Sequence, residues 1–155
     1  MFFVGPAGYP PGSKGALQAV ENVRKLNLNA LELQFGRSVN LSVERSRELA
    51  PRARELGVAL SCHAPYYINF NSDEENRAKS EERLLSSLRS ADAMDARIVV
   101  VHAASYMGRS PEEATVAVIR SLKRIRRTVV DEGLRPAIGL ETMGKTGSWG
   151  TYEEI

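Results

Sequence analysis

Three short apolar runs in this chain each end in a side chain of metal-ligand type, and they return at one interval. Val58 to Cys62 leads into His63, Ile98 to Val101 into His102, and Ala137 to Leu140 into Glu141. Both steps are 39 residues long, and the two histidines are the only ones in the sequence. A run of four or five apolar residues bounded by turn-formers reads as a buried strand. Two further runs, Phe2 to Gly5 and Ala30 to Leu33, read the same way. The sequence thus predicts strands near 2–5, 30–33, 58–62, 98–101 and 137–140.

Between them the apolar period switches to that of helices. Ser13 is placed to cap a first helix, with Ala16, Leu17, Val20 and Val23 as its buried face and an end near Leu26. Ser42 is placed to cap a second helix, with Leu49, Ala53 and Leu56 inward and Gly57 as its stop. Ser72-Asp73-Glu74-Glu75 reads as a capping box. It opens a helix with Leu84, Leu85, Leu88, Ala91 and Met94 as its core face. Ser110-Pro111-Glu112-Glu113 is a second box with proline in the first turn, and Ala114, Val118, Leu122, Ile125 and Val129 follow. Tyr152 to Ile155 reads as the first turn of a further helix.

Strictly alternating strands and helices give a parallel sheet with right-handed crossovers. The segment Pro6 to Gly12 has glycines but no G-x-G-x-x-G order, and its three prolines remove backbone donors that a phosphate loop needs. That disfavours a nucleotide-binding open sheet. A β/α barrel instead gathers its active site at the carboxyl ends of the strands, where His63, His102 and Glu141 fall. The expected fold is α/β: an incomplete (β/α)8 TIM barrel of about five strands and four helices. Residues 1–155 are expected to form a single incomplete domain, the amino-terminal portion of a barrel that usually needs about 250 residues.

Charge and cysteine usage narrow the function. With 21 basic and 19 acidic side chains, a net charge of +2, the chain is not a general polyanion binder. Arg120, Lys123, Arg124, Arg126 and Arg127 lie late in a helix and are expected on its solvated face, complementing the macrodipole. One cysteine, Cys62, precludes an internal disulfide and fits a reducing compartment. Alternation along its strand turns Cys62 away from the His63 face, into the core. No run reaches the roughly 20 apolar residues of a membrane helix, so the expectation is a cytoplasmic protein without membrane attachment.

Two imidazoles and a carboxylate at successive equivalent strand ends form a donor set suited to Zn²⁺, with a position left for water; Mn²⁺ or another divalent ion is the alternative. Next to His63, Tyr66 and Tyr67 either cover the barrel mouth or stack on a base or sugar. Arg37 and Lys145, on neighbouring loops, are candidate phosphate partners.

The motif His63-x-x-Tyr66-Tyr67-Ile68-Asn69, the strand-terminal His102, and Leu140-Glu141-Thr142 with its glycine-spaced tail from Gly144 to Gly150 resemble the endonuclease IV family. These are zinc-dependent apurinic/apyrimidinic endonucleases on a β/α barrel. The resemblance implies that His63 and His102 ligate one zinc and that Glu141, as the catalytic carboxylate, bridges it to a second. It implies that Tyr66 and Arg37 enter DNA at an abasic site and that the phosphodiester 5′ to the lesion is hydrolysed; Lys145, from its place on the neighbouring loop, is expected toward the backbone. One departure is Ala103-Ala104, where the family has Pro-Gly. Other ligands in the family come from later strands, so these 155 residues are expected to be inactive alone and to self-associate through open barrel edges. Two other readings remain: a sugar isomerase or epimerase of the related xylose-isomerase-like superfamily, and a non-catalytic half-barrel that binds a metal or a partner.

Overall fold

The computed structural model describes residues 2–155. Its centre is a four-stranded parallel sheet of β1 (Ala30–Gln34), β2 (Ala59–His63), β3 (Ile98–Val101) and a later strand, Ala137–Leu140. A two-residue strand, β4 (Ala104–Ser105), intervenes in sequence, so the fourth central strand is β5, and Ser148–Trp149 is β6. The central order is β1-β2-β3-β5. Each new strand joins the same side of the last, so right-handed crossovers put every helix on one face. The helices α1 (Ala16–Lys25), α2 (Val43–Glu55), α3 (Glu74–Ala93) and α4 (Pro111–Asp131) indeed pack each against the next, with α1, α2 and α3 also on the sheet. One-sided covering is the arc of a barrel, not a doubly wound sheet.

Burial follows the pleat. Leu31, Leu33, Leu60, Cys62, Val99 and Val101 are buried and join the core with Val20, Val23, Leu49, Leu84, Leu88, Met94 and Ile125 from the helices. Their neighbours along each strand, among them Glu32, Ser61, His63 and Val100, are half-exposed on the concave inner face. On β5 even Ile138 and Leu140 stay half-exposed, since α4 is the last helix of the layer.

Several local expectations need correction. Residues 2–5 form no strand: the Val4 carbonyl accepts from the N–H groups of Asn29 and Ala30, and one parallel bridge joins Ala7 to Glu32. The approach is so close that a Cβ on Gly5 would lie 1.6 Å from the Ala30 carbonyl oxygen, a contact only glycine permits. α1 starts at an N-cap glycine, Gly15, without a side-chain cap, and Ser13 instead accepts from Asn22. Leu17 is exposed, and Ala19 takes its place in the core. Asp73, not Ser72, caps α3 by accepting from the Asn76 N–H; the Ser72 hydroxyl is spent on the Asn69 carbonyl. The capping box at Ser110–Glu113 forms in full. The basic cluster of α4 ends before the last turn, which has no cation, so the macrodipole does not explain it; Arg124 pairs with Glu81 across to α3.

β4 and β6 form an antiparallel pair, Ala104 with Trp149 and Ser105 with Ser148. It lies in the loops beyond the carboxyl ends of β3 and β5, outside the barrel sheet, and welds those two loops together. Trp149 is buried there, and its indole N–H donates to Thr115 of α4.

Candidate metal centre

Register determines which side chains meet. Val101 pairs with Leu140, so the next residues, His102 and Glu141, stand opposite each other, and Glu141 N–H donates to the Val101 carbonyl at 3.1 Å. His63 pairs with Val100, two residues before His102. All three therefore share the inner face, but His63 stands one same-face step lower than the other two. The equal sequence intervals thus conceal unequal positions: the 39-residue offset is the register of β3 with β5 and not that of β2 with β3.

The three side chains still converge. His63 Nε2 lies 3.0 Å and His102 Nε2 3.3 Å from the same oxygen, Glu141 Oε2. The imidazole centroids are 5.0 Å apart and tilted by 55°, and one ligand atom from each residue lies within 4.8 Å of the others. The backbone of His63 is pinned on both sides, its carbonyl by Phe35 N–H and the following amide by the Val100 carbonyl.

Proton accounting at this cluster leaves room for a cation. His63 Nδ1 sits 2.9 Å from the Ala64 carbonyl, which can only accept, so Nδ1 must carry the proton. In the neutral ring, Nε2 then presents a lone pair to a carboxylate oxygen. A proton on Nε2, giving an imidazolium–carboxylate pair, or a metal cation shared by the two removes that conflict. Donation of the other ring N–H to a backbone carbonyl is the usual support of a metal-ligating histidine. His102 Nδ1 is buried and has no hydrogen-bond partner among the described residues. Burial holds the His102 imidazole below its ordinary pKa and His63 adds to this, against the opposing pull of Glu141. A neutral imidazole is the ligating form. The donor set fits a divalent ion of the zinc type. Cys62 is no part of it: fully buried, with its thiol against Met94 Sδ, it has its pKa pushed up to about 12 by burial.

The other expected site residues make no hydrogen bond or ion pair with this centre. Tyr66 is 63% and Tyr67 58% exposed at the tip of the β2–α3 loop. The Tyr66 N–H donates to the Gly36 carbonyl at 2.9 Å, which fixes that tip beside the exposed turn bearing Arg37. Lys145 is exposed in the turn before β6, and its carbonyl accepts from Ser148 N–H. A groove runs from His102 past Tyr66, Tyr67 and Asn69 to Met143 and Ser148; neither Arg37 nor Lys145 lines it. Sequence reasoning missed the polar web beneath this groove, formed by Asn71, Ser105 and Tyr106. Its one sequence signal is the asparagine pair Asn69 and Asn71 after a strand, residues that favour side-chain bonds to loop backbone.

Comparison with known proteins fits this geometry. The family described as xylose isomerase-like TIM barrel matches residues 20–155. An uncharacterized protein from Methanocaldococcus jannaschii is 30% identical over 156 residues, covering 99% of this chain and 56% of that one. A probable endonuclease 4 of Bacillus licheniformis is 29% identical over 143 residues, 88% of this chain and 42% of that protein. Among solved structures, endonuclease IV from Thermus thermophilus superposes with a TM-score of 0.68 at 24% identity, covering 93% of this chain and 53% of its own. A D-tagatose 3-epimerase-like protein gives 0.70 at 25% identity, covering 85% and 51%. The chain spans about half the length of the curated relatives it matches. With an arc of parallel strands, one layer of helices and a family match over most of its residues, this chain belongs to the xylose isomerase-like TIM-barrel family.

Proposed function

We propose that this chain carries the first part of a metal-dependent endonuclease centre acting at abasic sites in DNA. The observation that carries the reading is a pairing of features at one end of the sheet. Two imidazoles and a carboxylate converge there, beside an exposed tip of two tyrosines tied to the Arg37 turn. An exposed aromatic tip with cations on two flanking loops suits an extended polyanion with bases to stack on. The probable endonuclease 4 sequence similar over 88% of the chain supports the same reading.

In this reading His63 Nε2, His102 Nε2 and Glu141 Oε2 hold the ion, Zn²⁺ by the chemistry of the donors. A divalent ion bound there supplies Lewis-acid polarisation of a phosphoryl oxygen and lowers the pKa of its water. The Ala64 carbonyl fixes the tautomer of His63, and Glu141 keeps its second oxygen for a further partner. Tyr66 stacks at the lesion, Arg37 enters beside it, and Lys145 meets the backbone phosphates. Three protein donors hold one ion, whereas phosphodiester cleavage by paired metals needs a second on the leaving oxygen. Residues 1–155 alone are therefore expected to cleave poorly, and their half-exposed inner face and open sheet edges to favour self-association.

The second reading, a sugar epimerase, draws on the D-tagatose 3-epimerase-like structure at 25% identity. One experiment separates them. The whole protein is given an abasic duplex or a ketose, each with Zn²⁺ or Mn²⁺ and each with a chelator control. Metal-dependent nicking 5′ to the abasic site, with the sugar unchanged, supports the endonuclease. Sugar epimerisation with intact DNA replaces it with the second reading. Inertness toward both, with bound metal, leaves a binding half-barrel.

A further inference from the structure

Asn69 closes the motif that begins at His63, yet it makes no hydrogen bond to a ligand of the candidate centre. Its carboxamide nevertheless holds two site-bearing loops together. Oδ1 accepts from the N–H of Asn71 at 3.0 Å, in its own loop, and from the N–H of Ser105 at 3.2 Å, in the loop after His102. Nδ2 donates to Ser105 Oγ at 3.0 Å and to Met107 Sδ at 3.0 Å. Both ends of the amide are thus used, and all but one of the four partners lie across the gap between loops. The backbone of Asn69 is fixed as well: its N–H donates to Ser80 Oγ on α3, and its carbonyl accepts from Ser72 Oγ. Next to it, fully buried Asn71 donates to the carbonyls of Ser105 and Tyr106.

Ser105 belongs to β4, whose pairing with β6 anchors the loop that follows Glu141. Asn69 therefore joins the loop of His63 to the loop of His102, and through β4 and β6 to the loop of Glu141. The chain of contacts matters because β2 and β3 are paired only at Cys62–Val99 and His63–Val100. Past that point the ladder continues only in the bond from Ala64 N–H to the Val100 carbonyl at 2.8 Å, and the two loops are held by the bond from Phe70 N–H to the Ala103 carbonyl at 2.9 Å together with the amides of Asn69 and Asn71. We infer that Asn69 is a positioning residue for the His63–His102–Glu141 centre, setting the separation of the two imidazoles by clamping the β2–α3 loop onto β4. The inference rests on the metal reading of that centre only for its effect on ion affinity.

The test uses the fact that the chain has just two histidines. In metal-free protein, the nuclear Overhauser effect between the His63 and His102 ring protons reports their 5.0 Å centroid separation. Zinc affinity is measured in parallel by titration, and folding by circular dichroism and thermal melting. Asn69→Ala, still folded, is expected to weaken the ring–ring effect clearly and to bind Zn²⁺ about tenfold more weakly, the low end of the cost of outer-shell changes, because Asn69 bonds to no ligand directly. Asn69→Asp keeps both Oδ1 bonds and is expected to recover part of both signals. Ser105→Ala, which spares the Met107 bond, should show a smaller loss than Asn69→Ala.

An unchanged ring–ring effect in folded Asn69→Ala overturns the inference, whether or not zinc binding changes. Should Asn69→Ala fail to fold, Asn69→Asp and Ser105→Ala decide: native ring–ring effects in both overturn it, and graded losses support it. If the native protein itself binds no zinc while Asn69→Ala still separates the rings, the metal reading fails and the positioning role stands.

Discussion

At the amino-terminal rim, Arg54, Asp95, Arg135 and Asp92 form an unbroken run of ion pairs of 2.6–3.0 Å. On the helical layer Arg89 holds Glu82 and Glu132, and Arg52 holds Glu21 and Glu55. At the carboxyl ends of the strands, by contrast, Glu141 faces two imidazoles and no arginine or lysine, and Arg37 and Lys145 have no carboxylate partner among the described residues. One end of the arc neutralises its charges internally, while the other holds acceptors and cations in reserve. Charges left unmatched on a rigid scaffold are what a ligand can complete, and local frustration of this kind concentrates at functional sites.

The sharpest way to break the comparison is at the centre. His63→Ala is expected to abolish stoichiometric zinc retention, read by elemental analysis after dialysis, with little change in the urea midpoint of the metal-free protein. Native stoichiometry in that variant would remove the metal assignment. On the other side, Leu84→Ala deletes a fully buried side chain of α3 and should cost about 2–5 kcal/mol in urea unfolding. Its effect on zinc affinity under native conditions should be minor; a large one would mean that the scaffold and the centre are not separable.

Acid sharpens the contrast. Burial depresses the His102 pKa from its ordinary 6.5; Glu141 opposes this and His63 reinforces it. Between the depressed value and about 6.5 the unfolded chain binds a proton that the folded chain does not, so the His102 contribution makes stability rise with pH across that window. As pH falls below 6.5 this contribution destabilises, then levels off below the folded pKa. His102→Gln should flatten this part of the stability–pH curve, measured by chemical unfolding at stepped pH. Zinc affinity should fall in the same direction, about tenfold per pH unit once a ligand imidazole is protonated.

Smaller effects belong to the helical layer. Ser110→Ala removes the hydroxyl that caps α4 and should cost about 1 kcal/mol. Arg54→Ala breaks a pair whose arginine side chain is 71% exposed, and should cost no more than about 1 kcal/mol. A larger loss there, in thermal melts at low and high salt, would mean that the rim network is cooperative.

The helices were legible because each carries its own signals. The core stripe of α3 and the capping box of α4 need only neighbours a few residues away. The errors also have local causes. Ser72 and Asp73 are both good caps, and which one serves depends on the Asn69 carbonyl that claims Ser72. Residues 2–5 have strand composition, but of them only the Val4 carbonyl bonds to the start of β1, and the single bridge forms further on, at Ala7. The pair β4–β6 was illegible, because two-residue strands have no period to detect.

By itself the sequence determined the alternation of strands and helices, the buried stripes, and the placing of His63, His102 and Glu141 at strand ends. These follow from period and punctuation, which act over a few residues. Only the tertiary structure decided that His102 and Glu141 stand opposite each other while His63 reaches them from one step below. It alone decided that one carboxylate oxygen serves both imidazoles, and that Asn69 ties their loops together. Register is set by which strands pair and how they stagger. That is a balance of packing over the whole sheet, and no interval counted along the chain contains it.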